Sequence, residues 1–194
     1  MTDIEILIAY TDGSAYKNGM ANACAGAGVW FGKEDKHNVY VWLPGSDQTN
    51  NAVEIQVVLE WVFKALQNES IMTITDSKYV IDGLCFHLKR WENSGWVGVA
   101  NSNLWKATVA TLKQWRNPIY FKWVKGHDGN AGNKGADKLA EQDAKLNVGE
   151  AIPVNIEIDW EFNVNQAKLL TLTQSQAYHL LMSLKTVLEW PSVT

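Results

Sequence analysis

Apolar residues recur at every second position in the first part of the chain, and at helical spacing after about residue 50. The period of two predicts a strand over residues 5–11, which the turn-forming sequence Asp12-Gly13-Ser14 should end. Similar patterns predict strands over residues 25–31 and 38–43, joined by a hairpin that carries the charged residues 33–36. Three consecutive strands predict an antiparallel meander.

From residue 51 onward, predicted helices alternate with predicted strands. A helix is expected over residues 51–66, and strands are expected over residues 71–75 and 119–124. The predicted N-caps of later helices are Ser77, then Asn101 or Ser102, then Asn133 after a glycine-rich loop. This alternation predicts two parallel strands added to the meander through helical crossovers. The expected fold class is therefore α/β, with a five-stranded mixed sheet flanked by helices.

The residues after 147 carry a pattern of their own. Apolar residues alternate with mostly polar neighbours over residues 152–164, which predicts another strand. Thr173 and Gln176 then form a capping-box sequence ahead of a helix with leucines along one face. We therefore divide the chain into a domain of residues 1–147 and a strand-and-helix extension of residues 148–194.

Composition and charge narrow the classes of function. A hydrophobic fraction of 46% and ten tryptophans indicate a folded globule. The net charge is −4, but residues 1–147 hold 15 lysines and arginines against 16 acidic residues, a net of −1. Most of the acidity thus lies in residues 148–194, with two basic against five acidic side chains. An acidic extension argues against nucleic-acid binding there.

The start of the chain and its hydropathy bear on location. No signal peptide and no apolar run long enough to cross a bilayer is apparent, so we expect a cytoplasmic protein with no membrane partner. Cys24 and Cys85 lie far apart without metal-ligand spacing, which predicts reduced, buried thiols.

Four carboxylates stand where chemistry is expected in such a sheet. Asp12 and Asp76 follow predicted strands, and Glu54 and Asp137 lie in the first turns of predicted helices. Ligands gather outside the carboxyl ends of parallel strands. Each acid alone could equally complement a helix dipole or form a turn. Only their joint pattern indicates a site.

Five segments resemble type 1 ribonuclease H in their order and separations, over roughly residues 4–147. They are Thr11-Asp12-Gly13-Ser14, residues 49–54 (TNNAVE), residues 75–79 (TDSKY), residues 123–127 (WVKGH) and residues 132–140 (GNKGADKLA). The resemblance implies a ribonuclease H-like fold and an endonuclease that hydrolyses the RNA strand of RNA–DNA hybrids. It makes the four acids metal ligands and catalytic residues, and His127 a catalytic residue that assists product release or proton movement.

The resemblance also implies a cofactor and a binding surface. Two Mg²⁺ ions would be held with substrate bound, and Mn²⁺ could substitute, because hard cations about 4 Å apart can activate water and neutralise the leaving oxygen. The 2′-hydroxyl distinguishes RNA from DNA. Residues implied to contact the hybrid are Gly13, Ser14, Asn18, Thr49, Asn50, Asn51, Ser77, Tyr79, Trp91 and Asn101. For the asparagines, ordinary turn and cap use is an equal alternative.

The sequence departs from the family pattern on its basic surface. Ala52 and Val53 stand where the family commonly has a basic residue, and His87 replaces an aromatic residue of the DNA channel. An uncharged segment over residues 97–100 replaces a basic loop of the family. Lys89 and Arg90 are what remains of the family's basic protrusion. We therefore predict weak hybrid binding with a shallow salt dependence.

Two alternatives to an active hybrid nuclease remain open at this point. One is a catalytically silent module of the same fold that binds nucleic acid or protein, and another is a strand-transfer enzyme related to integrases. The extension either packs on the core or forms an interaction module. In the second case, residues 150–190 bind a second copy of the chain or another protein.

Overall fold

A single five-stranded sheet organises the described part of the computed structural model, which comprises residues 6–16, 24–42, 49–64, 69–146 and 175. Predictions for Asn18 and for the strand and helix of the extension lie outside these residues. The strand order is β3-β2-β1-β4-β5. The strands are β1 (Ile6–Tyr16), β2 (Cys24–Trp30), β3 (Val39–Trp42), β4 (Ser70–Thr75) and β5 (Ile119–Trp123).

The pairing confirms the predicted mixed sheet. β2 pairs antiparallel with both β1 and β3, whereas β4 pairs parallel with both β1 and β5. The helices are α1 (Asn50–Lys64), α2 (Lys78–Ile81), α3 (Leu88–Asn93), α4 (Ser102–Gln114) and α5 (Ala131–Leu146). A π-helical segment, Asp82–His87, joins α2 to α3.

The main core lies between the sheet and α1. The inward face of α1 carries Val53, Val57, Val58, Trp61 and Val62, all at most 3% exposed. Helical spacing places these apolar side chains on one face. Packing that face on the sheet stabilises the helix, because removing apolar surface from water contributes about 25 cal/mol per Å². The Trp61 indole Nε1–H donates to Thr73 Oγ1 on β4 at 3.0 Å, which fixes the helix over the sheet.

Helix α5 covers the opposite face of the sheet at very short range. A Cβ placed on Gly28 of β2 would lie 2.3 Å from the Ala136 carbonyl oxygen and 2.9 Å from the Ala140 nitrogen. Only a residue without a side chain fits there. The position of α5, and of every residue it brings to the site, therefore depends on this contact.

Three sequence-based boundaries were wrong. β1 does not end before Asp12 but continues to Tyr16, because residues 12–16 pair with β2 and this ladder outweighs the turn propensity of Asp-Gly-Ser. Asn133 does not cap the last helix, since α5 begins at Ala131 and Asn130 Oδ1 accepts from the backbone N–H groups of Gly132 and Asn133. The single helix expected after Ser77 is interrupted by the π-helical segment.

Other expectations have mixed outcomes. Ser77 caps α2 as predicted, its Oγ accepting from the Val80 N–H at 3.3 Å. The prediction of two buried thiols was wrong: Cys85 is exposed and Cys24 half-buried, and neither forms a disulfide. Within the described residues, no helix is long and apolar enough to span a bilayer.

Candidate active site

Three carboxylates meet where the parallel pairing of β1 and β4 stops. Thr11 and Thr75 form the last pair of that ladder. Asp12 is the next residue of β1, and Asp76 directly follows β4. Glu54 approaches from α1. One carboxylate oxygen from each of Asp12, Glu54 and Asp76 lies within 4.8 Å of the other two. We call these three residues the acidic cluster.

Close packing of β1 against α1 brings Glu54 to the strand. A Cβ on Gly13 would lie 3.3 Å from the Glu54 carboxyl carbon, so the missing side chain leaves room for the carboxylate. The Gly13 N–H donates to Asp12 Oδ1 at 2.8 Å. Farther along the strand, the Ala15 N–H donates to Asn50 Oδ1 at 2.9 Å, which joins β1 to the start of α1.

Burial and mutual repulsion make the acidic cluster resist ionisation. Asp12 and Glu54 are each 9% exposed. Burial, followed by repulsion from Asp76 and Asp137, raises the pKa of Asp12 from 3.8 to about 8, opposed by the Gly13 hydrogen bond. Burial, followed by repulsion from Asp12 and Asp76, raises the pKa of Glu54 well above 4.5. The arrangement is unfavourable for the protein alone and favourable for a bound cation.

Asp76 is fixed by neighbours from three elements. Asn133 on α5 donates from Nδ2 to Asp76 Oδ2 at 3.0 Å. Trp123 on β5 donates from Nε1 to the Asp76 carbonyl oxygen, also at 3.0 Å. A Cβ on Gly126 would lie 2.5 Å from Asp76 Oδ2, so the loop after β5 passes directly over the carboxylate.

Unsatisfied polar atoms converge on this place. Among the described residues, only three buried side-chain polar atoms lack a hydrogen-bond partner: Thr11 Oγ1, Glu54 Oε2 and Asn133 Oδ1. Each belongs to the acidic cluster or to a residue beside one of its members. A free carboxylate oxygen among hard oxygen donors fits a divalent cation such as Mg²⁺, which prefers a few carboxylates and keeps water in its other positions.

The fourth acid and the histidine lie beside this centre. Asp137, in the second turn of α5, is not one of the three residues within 4.8 Å. It nevertheless lies near enough for its charge to raise the pKa of Asp12. His127 is exposed, with a left-handed backbone (φ 55°), in the loop that connects β5 to α5.

Tyr79 and Asn101, two of the residues implied to contact the hybrid, contact each other. The Tyr79 hydroxyl accepts from Asn101 Nδ2 at 3.3 Å and from Trp105 Nε1 at 3.2 Å, and donates to the Ala100 carbonyl at 3.3 Å. Asn101 stands at the N-cap of α4 in a left-handed conformation, without a side-chain cap bond. Trp91 is half-buried, with its ring centroid 5.3 Å from that of Trp105.

The other predicted contact residues have mostly structural bonds. Thr49 Oγ1 accepts from the Ala52 N–H at 3.2 Å and so caps α1. Asn51 is exposed beside it, and Ser77 is occupied as a cap. Ser14 remains in the β1–β2 ladder, paired with Gly26.

Sequence reasoning missed the role of Asn133. Its position before Lys-Gly-Ala-Asp suggested a helix cap, but that cap is Asn130, and the Asn133 side chain points back to Asp76. The only sequence signal for this contact was the position of the asparagine, in the first turn of a helix that also carries Asp137.

Comparisons with known proteins agree with this geometry. The family model described as RNase H matches residues 5–145. A ribonuclease H of Schizosaccharomyces pombe is 38% identical over 144 residues, covering 71% of this chain and 52% of its own length. Ribonuclease HI of Pseudomonas aeruginosa is 31% identical over 147 residues, covering 73% and 95%. This chain thus spans about half of the yeast relative and nearly all of the bacterial one.

A solved structure shares the fold. The foamy viral protease-reverse transcriptase in complex with an RNA/DNA hybrid aligns with a TM-score of 0.59 and 26% identity, over 71% of this chain and 20% of that one. The fold and the family model together define a ribonuclease H-like α/β domain. The chain belongs to the ribonuclease H family and, by its relatives, to type 1.

Proposed function

We propose that this chain is an endonuclease that hydrolyses the RNA strand of RNA–DNA hybrids with the help of two divalent metal ions. The observation that carries the proposal is the acidic cluster of Asp12, Glu54 and Asp76, whose carboxylate oxygens lie within 4.8 Å of each other. Such a group of buried acids is costly unless cations neutralise it. The hybrid-bound foamy viral relative supports the substrate class.

In this proposal the acidic cluster and Asp137 hold Mg²⁺. When bound, the ions supply a nucleophile at neutral pH and neutralise charge on the leaving oxygen. The protein's own part is to hold the carboxylates close together and oriented, whereas bound cations would favour their ionised form. Asp12 lies within β1 and Asp76 directly follows β4, side by side where the parallel ladder stops, and the Gly13 N–H keeps one Asp12 oxygen in place.

Asp137 and His127 complete the proposed chemistry from the α5 side. Asp137 approaches the acidic cluster closely enough to repel Asp12, which suits a ligand of a shared or neighbouring ion. His127 lies in an exposed loop whose neighbour Gly126 touches Asp76. In this proposal its imidazole exchanges a proton near the product, as a general acid or base.

The proposed hybrid contacts form two groups. Gly13, Ser14, Asn50 and Asn51 lie beside Glu54 and present backbone and amide groups suited to sugar hydroxyls and base edges. Asn18, which the family resemblance also implies as a hybrid contact, lies outside the described residues. Tyr79 and Asn101 share a hydrogen bond, and together with Thr49, Ser77 and Trp91 they form the surface proposed for the DNA strand.

Replacement of single carboxylates tests the assignment. We expect Asp12→Asn to lose on the order of 100-fold or more in hybrid cleavage at saturating Mg²⁺, because several kcal/mol of charge stabilisation disappear. Glu34→Gln removes the same charge from an exposed hairpin residue and should leave the rate unchanged. Near wild-type cleavage by Asp12→Asn would refute the assignment.

A further inference from the structure

Asn133 belongs to none of the residues assigned so far to metal or substrate. It is 4% exposed, in the first turn of α5, and its Nδ2 donates to Asp76 Oδ2 at 3.0 Å. We propose that Asn133 is a positioning residue, which sets the orientation of the Asp76 carboxylate and thereby the affinity of the site for Mg²⁺. The inference rests on the proposed function and adds a residue to it.

The orientation of the Asn133 amide supports this role. Its oxygen would repel the Asp76 carboxylate, so the NH₂ group faces Asp76 and the oxygen faces away. Oδ1 is left buried, with no hydrogen-bond partner among the described residues. An unsatisfied buried acceptor is unfavourable. The bond to Asp76, which involves a charged acceptor, is strong enough to keep the amide in this orientation.

The remaining contacts of Asp76 explain why one bond matters. Trp123 holds only its backbone carbonyl, and Gly126 contacts Oδ2 without donating a hydrogen bond in the described structure. Asn133 thus donates the side-chain hydrogen bond that the Asp76 carboxylate accepts within the described part of the chain. A carboxylate that can rotate freely would have to be ordered when a cation binds, which lowers affinity.

The sequence allows Asn133 to do this because another residue caps the helix. Asn130 Oδ1 accepts from the N–H groups of Gly132 and Asn133, which frees the Asn133 side chain from local capping. Gly28 lets α5 approach the sheet, which brings Asn133 within reach of Asp76. Because Asn133 is buried and bonded to Asp76, its effect is exerted through that carboxylate.

Mg²⁺ titration of the full chain tests the proposal. Asn133→Ala and Asn133→Leu should each raise the Mg²⁺ concentration at half-saturation about tenfold or more, measured by calorimetry without substrate and by the Mg²⁺ dependence of cleavage. Excess Mg²⁺ should restore most of the cleavage rate. Hybrid affinity in the presence of chelator should stay unchanged. Leucine has the same number and branching of side-chain heavy atoms as asparagine and a higher helix propensity, so this variant serves if the alanine variant does not fold.

A matched asparagine elsewhere provides the control. Asn38→Ala removes two side-chain hydrogen bonds, to the Phe31 N–H and the Gly32 carbonyl, in the β2–β3 hairpin. It should leave the Mg²⁺ midpoint unchanged. If wild-type protein binds Mg²⁺ and cleaves hybrid, but both Asn133 variants keep its midpoint within about twofold, the inference is overturned. Wild-type protein that neither binds Mg²⁺ nor cleaves hybrid contradicts the proposed function instead.

Discussion

Asp12 shows how one residue can be unfavourable for folding and necessary for the proposed chemistry. Its raised pKa, about 8 against 3.8, means that the folded protein holds this proton more tightly than the unfolded chain does. The contribution of Asp12 to the stability of the metal-free protein should therefore fall as pH rises from about 4 to about 8, and stay level above that. Bound Mg²⁺ should remove this penalty, since cations stabilise the ionised form.

Asp12→Asn should accordingly stabilise the metal-free protein. We expect the variant to match wild type near pH 4 and to exceed it at pH 8 by on the order of a few kcal/mol in the free energy of unfolding, because the buried charge is absent. Urea unfolding with chelator at both pH values measures the difference. Glu34→Gln, on the exposed hairpin, should show no such gain; a wild-type-like Asp12→Asn at pH 8 would contradict the account.

Sequence reasoning succeeded at the residue scale where a motif combined type and spacing. It named four acids, three of which the structure brings together as the acidic cluster, because their flanking motifs combined residue type with spacing. It failed for Asn133, whose role depends on a contact to a residue 57 positions away. It also ended β1 too early, because local turn propensity does not show that Gly13 and Ser14 have partners on β2.

At the scale of elements, helix α5 links the stability of the sheet to the geometry of the site. It packs on β1, β2 and β3, and it carries both Asn133 and Asp137. Its closest contact is at Gly28, where no side chain fits. A shift of α5 should therefore disturb the site as well as the core.

Gly28→Ala tests this link. The added methyl would lie 2.3 Å from the Ala136 carbonyl, so we expect about 1–3 kcal/mol of destabilisation, as for other overpacked sites. Cleavage should fall further than the unfolded fraction accounts for, because α5 moves. Gly32→Ala is the control, since its nearest neighbour would be the Asp35 Cβ at 3.9 Å. Equal stability and activity of the two variants would refute the linkage.

The sheet was predictable at this scale and the helical crossover was not. Alternating and buried strands leave a clear apolar pattern, and all five strands occur near their expected positions. The π-helical segment Asp82–His87 breaks the apolar stripe of a single helix. Its Gly83 packs against the Trp105 ring, a long-range contact that periodicity cannot reveal.

The charge of the whole molecule sets how strongly it should hold a polyanion. The net charge is −4. Few lysine and arginine side chains are therefore expected to neutralise phosphates of a hybrid and release the counterions bound to them. We expect weak binding whose log–log dependence on salt is shallower than about −6. Binding of a catalytically inactive Asp12→Asn variant between 50 and 200 mM salt would measure the slope, and a value of −6 or steeper would contradict the depleted basic surface.

Strand-resolved cleavage of an RNA–DNA hybrid tests the central claim most directly. Each strand of a hybrid, and of matched RNA and DNA duplexes, would carry its own label, with Mg²⁺ or with chelator. The account predicts cuts confined to the RNA strand of the hybrid, present with Mg²⁺ and absent with chelator. Cleavage that persists in chelator, or that extends to the DNA strand or to the control duplexes, would contradict it, as would no cleavage at all.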